Sequence, residues 1–423
     1  MTDDSTTTPL PPPHNEMPID VDVVVIGLGP AGEAAGGRLA EAGLRVVGIE
    51  RGLVGGECPY WGCVPSKMMI RAANLLAESR RVGELAGSST TVSDWAPVAA
   101  RIREQATDDW DDTVAVDRFV ASGGIFVRGD AEIVAERTVT AGQATYVATK
   151  GIIVATGTAA AVPPIPGLAD TPFWTNHEII ETETLPKRLI VLGGGAIGSE
   201  LAQVMARFDV DVTVIEGLER LLPRNEPEAG TLLAEVFASE GIEVHTDQFA
   251  SEVSHDGHEF SVSMPDGCVH TADRLLVATG RRTFLRELGV ATLGIDPAAP
   301  FLEVDEGQRV ADGLWAIGDI AGDGLFTHLA LRQAGVAVAD ILGEHPEPLN
   351  LNALSAVTFT DPEIGAVGLT EAAAHAAGLD VEVVVKRVAH TARGWLHGVG
   401  NEGFIKLVVD RGADVLVGAT SAG

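Results

Sequence analysis

Two cysteines separated by four residues are the side chains of this sequence best suited to chemistry. Cys58 and Cys63 are two of only three cysteines among 423 residues. Their spacing differs from the Cys-x-x-Cys of thioredoxin-like proteins, and no second Cys or His pair lies nearby to complete a zinc site. Nothing at the N-terminus suggests export, and a disulfide in a reducing compartment is usually catalytic. The spacing therefore favours a redox pair, in which one thiol exchanges with a substrate and the other communicates with an electron carrier.

A glycine-rich turn precedes this pair and has the surroundings of a dinucleotide site. A β-branched strand (21–26) leads into the turn, an alanine-rich helix follows to Ala42, and a second strand (44–49) ends at Glu50. Glycines allow a tight turn and close approach of phosphate, and the acid accepts hydrogen bonds from a ribose. The residues predicted to bind the first dinucleotide are Gly27, Gly29, Gly32 and Glu50.

The same unit occurs again in the middle of the chain. A strand (188–192) leads into a glycine turn, a helix follows to about Phe208, and a strand (211–215) ends in an acid. Two complete patterns predict two bound dinucleotides, although one functional site and one decayed copy is the alternative. The residues predicted at the second site are Gly193, Gly195, Gly198 and Glu216.

Three further buried strands end in residues that suit nucleotide binding. Two of them, at 151–157 and 274–280, end in Ala-Thr-Gly and are predicted to mark the passages between two nucleotide domains. A third, at 313–317, ends in Gly-Asp, where an acid at the carboxyl end of a strand can accept hydrogen bonds from a polyol. The predicted binding residues here are Thr156, Gly157, Gly280 and Asp319.

Composition excludes several classes of function. The formal net charge of −31 disfavours nucleic acid and anionic membranes as partners, because both require a basic surface. No apolar run approaches the length of about 18 residues that a membrane span needs. The first twenty residues lack the basic and apolar regions of a signal peptide. The expectation is therefore a cytoplasmic protein with a disordered tail over 1–20 and no metal site.

Together these motifs resemble the class I pyridine nucleotide-disulfide oxidoreductases, the flavoproteins of the dihydrolipoamide dehydrogenase, glutathione reductase and mercuric reductase type. The resemblance runs from about Val21 to the last residue and includes Pro65-Ser66-Lys67 and the run Phe359–Glu371. It implies an α/β fold with two Rossmann-like domains, for FAD and NAD(P), and a partial α+β interface domain. The implied boundaries are 21–160 with 283–347 for FAD, 161–282 for NAD(P) and 348–423 for the interface.

The resemblance also implies a division of roles. Cys63 would lie nearer the flavin and form a charge-transfer contact with it, and Cys58 would exchange with the substrate. Their position at the start of a helix, with Lys67 nearby, predicts lowered thiol pKa values. Lys67 resembles the family lysine beside the flavin, and its partner would be Glu200. The helix that opens near His328 would direct its dipole at the flavin, with His328 itself structural.

The choice of nicotinamide and the state of assembly follow in the same way. The carboxylate of Glu216 would accept from the ribose 2′-OH and repel a 2′-phosphate, which favours NAD(H) over NADP(H). NADPH-dependent members of the family usually carry arginines there, and Arg220 follows four residues later, but similar arginines occur in relatives that use NADH. Family members are homodimers, so a homodimer is implied for the full-length form.

Two departures from the family leave the substrate open. Pro59-Tyr60-Trp61 replaces aliphatic and amide residues between the cysteines, and the family's C-terminal His–Glu pair is absent from the 423 residues. His390, His397 and Cys268 are assigned no role. The leading function is electron transfer between NAD(P)H and a dithiol or disulfide, most like dihydrolipoamide dehydrogenase. The alternatives are a mercuric-reductase-like or general disulfide or quinone reductase, and a non-catalytic flavin-binding fragment or subunit.

Overall fold

Strands and helices alternate along most of the chain, as the repeated hydrophobic patterns predict. The computed structural model describes residues 17–423. The helices are α1 (Pro30–Glu41), α2 (Glu57–Tyr60), α3 (Cys63–Leu85), α4 (Ala96–Arg101), α5 (Thr113–Ala121), α6 (Asn176–Glu181), α7 (Ala196–Arg207), α8 (Pro227–Ser239), α9 (Thr327–Leu342), α10 (Glu371–Ala376) and α11 (Ala392–His397). Within residues 17–423, none of them is both long and apolar enough to cross a membrane.

The described strands form three main sheets, a smaller three-stranded sheet and a short two-stranded ribbon. They are β1 (Ile19–Ile26), β2 (Val46–Glu50), β3 (Ile125–Arg128), β4 (Ala131–Ala135), β5 (Thr138–Ala141), β6 (Ala144–Val154), β7 (Ala159–Ala160), β8 (Arg188–Leu192), β9 (Asp211–Ile215), β10 (Glu243–His245), β11 (Glu252–His255), β12 (Phe260–Ser263), β13 (Val269–Ala272), β14 (Arg274–Val277), β15 (Arg281–Arg282), β16 (Arg309–Ala311), β17 (Leu314–Ala316), β18 (Ser355–Thr358), β19 (Ile364–Gly368), β20 (Val381–Arg387), β21 (Phe404–Asp410) and β22 (Val415–Ala422).

The first sheet has eight strands, and β1 lies near its centre between β2 and β6, parallel to both. Val23, Val24 and Val25 of β1 are fully buried because apolar clusters cover both faces of the sheet. Helices α1 and α9 pack on one face. The predicted tail was wrong in its last two residues, since β1 begins at Ile19; residues 1–16 lie outside the described residues.

The second sheet repeats this plan on a smaller scale. Its four parallel strands run in the order β10-β9-β8-β14, with α7 and α8 on one face. The antiparallel strands β11, β12 and β13 cover the other face and enclose an apolar cluster that includes Phe260 and Val262. The ribbon of β7 and β15 joins the segments that connect the first and second sheets.

The third sheet is antiparallel, in the order β18-β19-β22-β21-β20. Side chains of β21 alternate: Phe404 and Val408 are buried, whereas Ile405 and Leu407 are exposed by 44% and 36%. The face of the sheet that carries Phe404 packs against the helices of the second sheet. The opposite face, which carries Ile405 and Leu407, leaves apolar side chains exposed. This is the apolar surface expected of an interface domain.

A buried lysine ties the third sheet to the second. Lys406 of β21 is 1% exposed and contacts Glu226 at 3.0 Å, Glu228 at 2.9 Å and Glu371 at 2.7 Å. Glu226 and Glu228 lie at the start of α8, and Glu371 begins α10. Burial alone would lower the pKa of Lys406, but the three carboxylates raise it above its ordinary value. Lys406 therefore stays protonated throughout the neutral range.

Candidate active site

The two cysteines of the redox pair lie at adjoining helix starts. Cys58 belongs to the single turn of α2, and Cys63 is the first residue of α3. Both are unbridged thiols here, with Cys58 half-buried and Cys63 exposed. The Sγ atom of Cys63 lies 3.6 Å from Oγ1 of Thr327, the first residue of α9. The sequence analysis placed a helix start near His328 but did not single out Thr327.

A hydrogen bond between the two thiols shifts their pKa values in opposite directions. The hydrogen bond from Cys58, with weaker contributions from Thr327 and the charge of Lys67, lowers the pKa of Cys63 to about 6 although burial opposes it. The same hydrogen bond, together with burial, raises the pKa of Cys58 far above its ordinary value. The prediction of a lowered pKa was therefore wrong for Cys58. Its proton forms the hydrogen bond that stabilises the Cys63 thiolate, so this proton is harder to remove.

Lys67 and Glu200 form the predicted ion pair. Nζ of Lys67 donates to Oε2 of Glu200 at 2.9 Å and lies 4.5 Å from the centre of the Phe359 ring. The other oxygen of Glu200 accepts the backbone N–H of Phe359 at 2.8 Å. The pair thus joins α3, α7 and the turn between β18 and β19, and each carboxylate oxygen of Glu200 accepts a hydrogen bond.

We expect the Cys63 thiolate to persist down to a pH of about 6, because its pKa is lowered to that value. The thiolate exists above its pKa, so a thiolate–flavin charge-transfer absorbance in the reduced protein should fall as the pH drops through about 6. In Lys67→Met the positive charge is lost and the midpoint should move to higher pH, whereas Lys67→Arg should keep it low. A midpoint near 9 in the unmodified protein would contradict this.

The first glycine turn has the shape that a dinucleotide phosphate requires. Gly27 has φ +92°, and a Cβ on Gly32 would lie 1.9 Å from the carbonyl oxygen of Gly27. Nothing but the Cα of Gly56 approaches the Cβ position of Gly29, and it does so at 3.9 Å. Glu50 accepts the N–H of Leu28 at 2.7 Å, so its carboxylate holds the turn and is placed at the end of β2. These residues fit FAD, with the pyrophosphate at the start of α1.

The second turn reproduces the first. Gly193 has φ +104°, and a Cβ on Gly198 would lie 1.9 Å from the oxygen of Gly193. Around Gly195 there is open space on the side where a Cβ would project. Glu216 is 7% exposed and accepts the N–H groups of Gly194 at 2.6 Å and of Leu218 at 2.8 Å. The geometry fits a nicotinamide dinucleotide at the start of α7.

The end of β17 carries the predicted polyol acid. Asp319 is held by the hydroxyl of Thr158 at 2.9 Å, and burial raises its pKa. Gly157 and Gly280 have φ values of +60° and +137°, which only glycine adopts readily. The hydroxyl of Thr156 is buried without a hydrogen-bond partner within residues 17–423, and a bound polyol or phosphate would supply one.

A hydrogen-bonded network that the sequence analysis missed connects Asp319 with the redox loop. Thr158 accepts from Arg281 at 3.0 Å, and Arg281 lies 3.5 Å from Glu57. Glu57 also contacts Nε2 of His177 at 2.6 Å. Burial alone would raise the pKa of Glu57, but the hydrogen bond with His177 and the charge of Arg281 hold it below its ordinary value. No local motif marks this network, since its members are far apart in the sequence.

The aromatic departure between the cysteines has a structural partner. Trp61 stacks on His177 with ring centres 4.2 Å apart and planes 4° apart, and its Nε1 donates to Glu181 at 2.7 Å. Tyr60 is buried. Trp61 therefore anchors the redox loop to α6, which leads into the second sheet.

The remaining candidate residues are exposed side chains. His328 is exposed and stacks on Phe326. Cys268 is exposed in the turn between β12 and β13. His390 and His397 are exposed, the first in a 3-10 turn and the second at the end of α11.

Comparison with known proteins identifies the family. The family model described as pyridine nucleotide-disulphide oxidoreductase matches residues 21–340, and the model of its dimerisation domain matches residues 354–423. The chain belongs to the pyridine nucleotide-disulfide oxidoreductases. Members of this flavoprotein family depend on FAD and use a pyridine nucleotide, which agrees with the two glycine turns and the paired cysteines.

Relatives within the pyridine nucleotide-disulfide oxidoreductases carry different activities. The chain is 36% identical to a mercuric reductase of Shigella flexneri over 414 residues, covering 94% of this chain and 72% of that protein. It is 32% identical to a dihydrolipoyl dehydrogenase of Haloferax volcanii over 420 residues, covering 95% and 86%. Its fold matches the HOCl-induced flavoprotein disulfide reductase RclA of Escherichia coli with a TM-score of 0.81 at 26% identity, covering 94% and 89%.

Proposed function

We propose that this protein transfers electrons from NADH to a disulfide, or in reverse from a dithiol to NAD⁺, through Cys58 and Cys63. The observation that carries the proposal is the position of the pair: Cys58 and Cys63 lie at adjoining helix starts, Oγ1 of Thr327 is 3.6 Å from Sγ of Cys63, and the Lys67–Glu200 ion pair extends from the same helix as Cys63. A dithiol of this kind holds a nucleophile and its resolving group side by side. The family supplies FAD as the carrier between NADH and the pair.

Each residue of the pair has a defined step. Bound FAD would supply the transfer of two electrons from NADH to the pair. With those two electrons and one proton, the Cys58–Cys63 disulfide opens to a thiol at Cys58 and a thiolate at Cys63. Cys58 then passes its proton to Cys63 and attacks a substrate sulfur, and the displaced thiolate takes that proton. The Cys63 thiolate attacks Sγ of Cys58, which restores the disulfide and releases the second thiolate to be protonated by solvent. The sum is NADH + H⁺ + RSSR → NAD⁺ + 2 RSH.

Residues around the pair favour the charges that these steps need. The first turn of α9 meets Cys63 through Thr327, so the positive end of its dipole lies beside the thiolate and the expected flavin edge. Lys67 adds a positive charge that the ion pair with Glu200 keeps in place. Asp319 and Thr158 would hold the flavin polyol.

We expect NADH to be preferred over NADPH because Glu216 lies at the end of β9, where it would accept from the ribose 2′-OH. In Glu216→Arg the ratio of the KM for NADPH to the KM for NADH should fall about ten- to a hundredfold, so that the preference narrows or reverses. This factor corresponds to the free energy of one hydrogen bond to a charged group. KM values for both nucleotides, measured by flavin reduction, test it. Two variants serve as controls. Glu216→Gln keeps a side-chain oxygen that can accept the N–H groups of the turn, and Glu235→Arg makes the same change of charge on the exposed face of α8. Equal KM values in the unmodified protein would contradict the preference.

For the acceptor, we propose a dithiol or disulfide of the dihydrolipoamide class. Thiol-bound mercuric ion is the second candidate, favoured by the 36% identity to a mercuric reductase. The test is steady-state NADH oxidation with lipoamide, glutathione disulfide, thiol-bound Hg²⁺ and a quinone as acceptors. A kcat/KM at least tenfold higher for lipoamide than for the others supports the first proposal, and a preference for Hg²⁺ supports the second.

A flavin-binding fragment or subunit without turnover is the alternative of another class. It predicts a yellow protein whose flavin is reduced by NADH but which passes electrons to none of these acceptors. The match of residues 354–423 to the dimerisation domain supports a homodimer as the working form. Light scattering should be recorded with each activity assay, so that loss of turnover can be compared with loss of assembly.

A further inference from the structure

Three side chains of the kinds that ligate metal ions converge between the second sheet and the antiparallel strands that cover it, far in sequence from the redox cysteines. Glu243 and His245 lie on β10 and His270 lies on β13. One donor atom from each lies within 4.8 Å of the other two. Oε1 of Glu243 is 2.8 Å from Nε2 of His245, and the two imidazole rings are 4.6 Å apart between centres. No step of the proposed reaction uses these residues.

The fold explains why the three side chains meet. His245 pairs in register with Ile215 of β9, so it faces the same side as this core residue, and Glu243 faces that side two residues earlier. His270 faces the same side of β13 as Ala272, whose side chain belongs to the same apolar cluster. The two histidines therefore come from opposite layers of the domain and meet at the rim of the core between them.

The donor set selects the kind of ion. Two imidazole nitrogens and one carboxylate suit Zn²⁺ and its neighbours in the transition series better than Ca²⁺ or Mg²⁺, which prefer oxygen. Ligands at about 2.0–2.2 Å from a tetrahedral ion lie about 3.3–3.6 Å apart. This distance lies between the 2.8 Å that separates Glu243 from His245 and the 4.8 Å within which all three donor atoms lie. Small side-chain rotations would therefore bring the three donors to tetrahedral spacing.

We propose that Glu243, His245 and His270 bind a divalent transition-metal ion of the zinc class, with water as the fourth ligand. The ion would link the edge strand of the parallel sheet to the antiparallel layer that covers it. Glu216 donates its backbone N–H to the carbonyl oxygen of His245 at 2.8 Å. The metal would thus stabilise the strand end that carries the residue proposed to select the nicotinamide.

The test is calorimetric titration of the oxidised holoenzyme with Zn²⁺, because closure of the Cys58–Cys63 disulfide removes those thiols as competing ligands. A Cys268→Ser background removes the remaining thiol. We expect one ion per chain, and at least tenfold weaker binding in His245→Ala and His270→Ala. His258→Ala, which removes an exposed histidine of the same domain outside the cluster, should bind as tightly as the background protein. Zn²⁺ should also raise the Tm of the background protein but not of His270→Ala.

Two further measurements keep the outcome decisive. Co²⁺ in place of Zn²⁺ should give weak visible bands typical of nitrogen and oxygen ligands, without an intense thiolate-to-metal band. If either histidine variant fails to fold, Glu243→Gln, at an exposed carboxylate, supplies the same comparison. Absence of Zn²⁺ binding to the background protein, equal affinity in all variants, or a thiolate band would overturn the proposal.

Discussion

We expect Cys63→Ser to abolish both the thiolate–flavin charge-transfer band and the turnover of disulfides. Cys63 carries the lowered pKa, so the thiolate that would contact the flavin is lost with it. Turnover should fall on the order of 10³-fold or more, as when an essential nucleophile is removed. In Cys58→Ser turnover should fall equally, but the band should be present in the oxidised protein because Cys63 is no longer tied in a disulfide. Visible spectra and NADH–disulfide kinetics measure both effects.

The matched control for the cysteine variants is Cys268→Ser. Cys268 is exposed in a turn of the second domain, so its replacement should leave the spectrum and turnover unchanged. If Cys58→Ser and Cys63→Ser give the same spectra, the assignment of separate roles to the two thiols is wrong.

We expect Lys406→Met to destabilise the protein by about 3–5 kcal/mol, because it leaves the buried carboxylate of Glu226 without its counter-ion. Glu226 has a side chain only 2% exposed. The Tm should fall by about 3–6 °C in a chain of this size. Differential scanning calorimetry of the holoenzyme measures it, with each transition followed separately because multidomain proteins need not unfold in one step.

Two variants separate the loss of charge pairing from a general effect on the third sheet. Lys386→Met changes an exposed lysine on the neighbouring strand β20 and should alter stability by less than about 0.5 kcal/mol. Adding Glu226→Gln to Lys406→Met should recover part of the loss, since it removes the unpaired charge. If Lys406→Met alone is as stable as the unmodified protein, the cluster does not hold the domains together.

The dinucleotide turns were the easiest part of the protein to predict from sequence. Gly27 and Gly193 have positive φ values, and Glu50 and Glu216 accept N–H groups of the turns they follow. Strand, turn, helix and acid lie within about thirty residues, so one local pattern contains the whole site. Lys67 and Glu200 were predictable only through family resemblance, because 133 positions separate them.

Long-range contacts account for what the sequence analysis missed. Thr327 is 264 positions from Cys63, and His177 is 120 positions from Glu57. Neither the hydrophobic periodicity nor the spacing of motif residues predicts contacts between residues so far apart in the sequence. The raised pKa of Cys58 was missed for another reason: helix position and nearby charge predict the same direction for both thiols, whereas the outcome depends on which one donates the hydrogen bond.

The opposite pKa shifts of Cys58 and Cys63 determine how the midpoint potential of the pair depends on pH. Between a pKa of about 6 and the raised pKa of Cys58, opening the disulfide takes up two electrons but only one proton. The potential should therefore become more negative by about 30 mV per pH unit in this range, and by about twice that below it. As the pH rises, the protein therefore becomes a stronger reductant. The change per pH unit is half of that for an ordinary dithiol whose two sulfurs are both protonated.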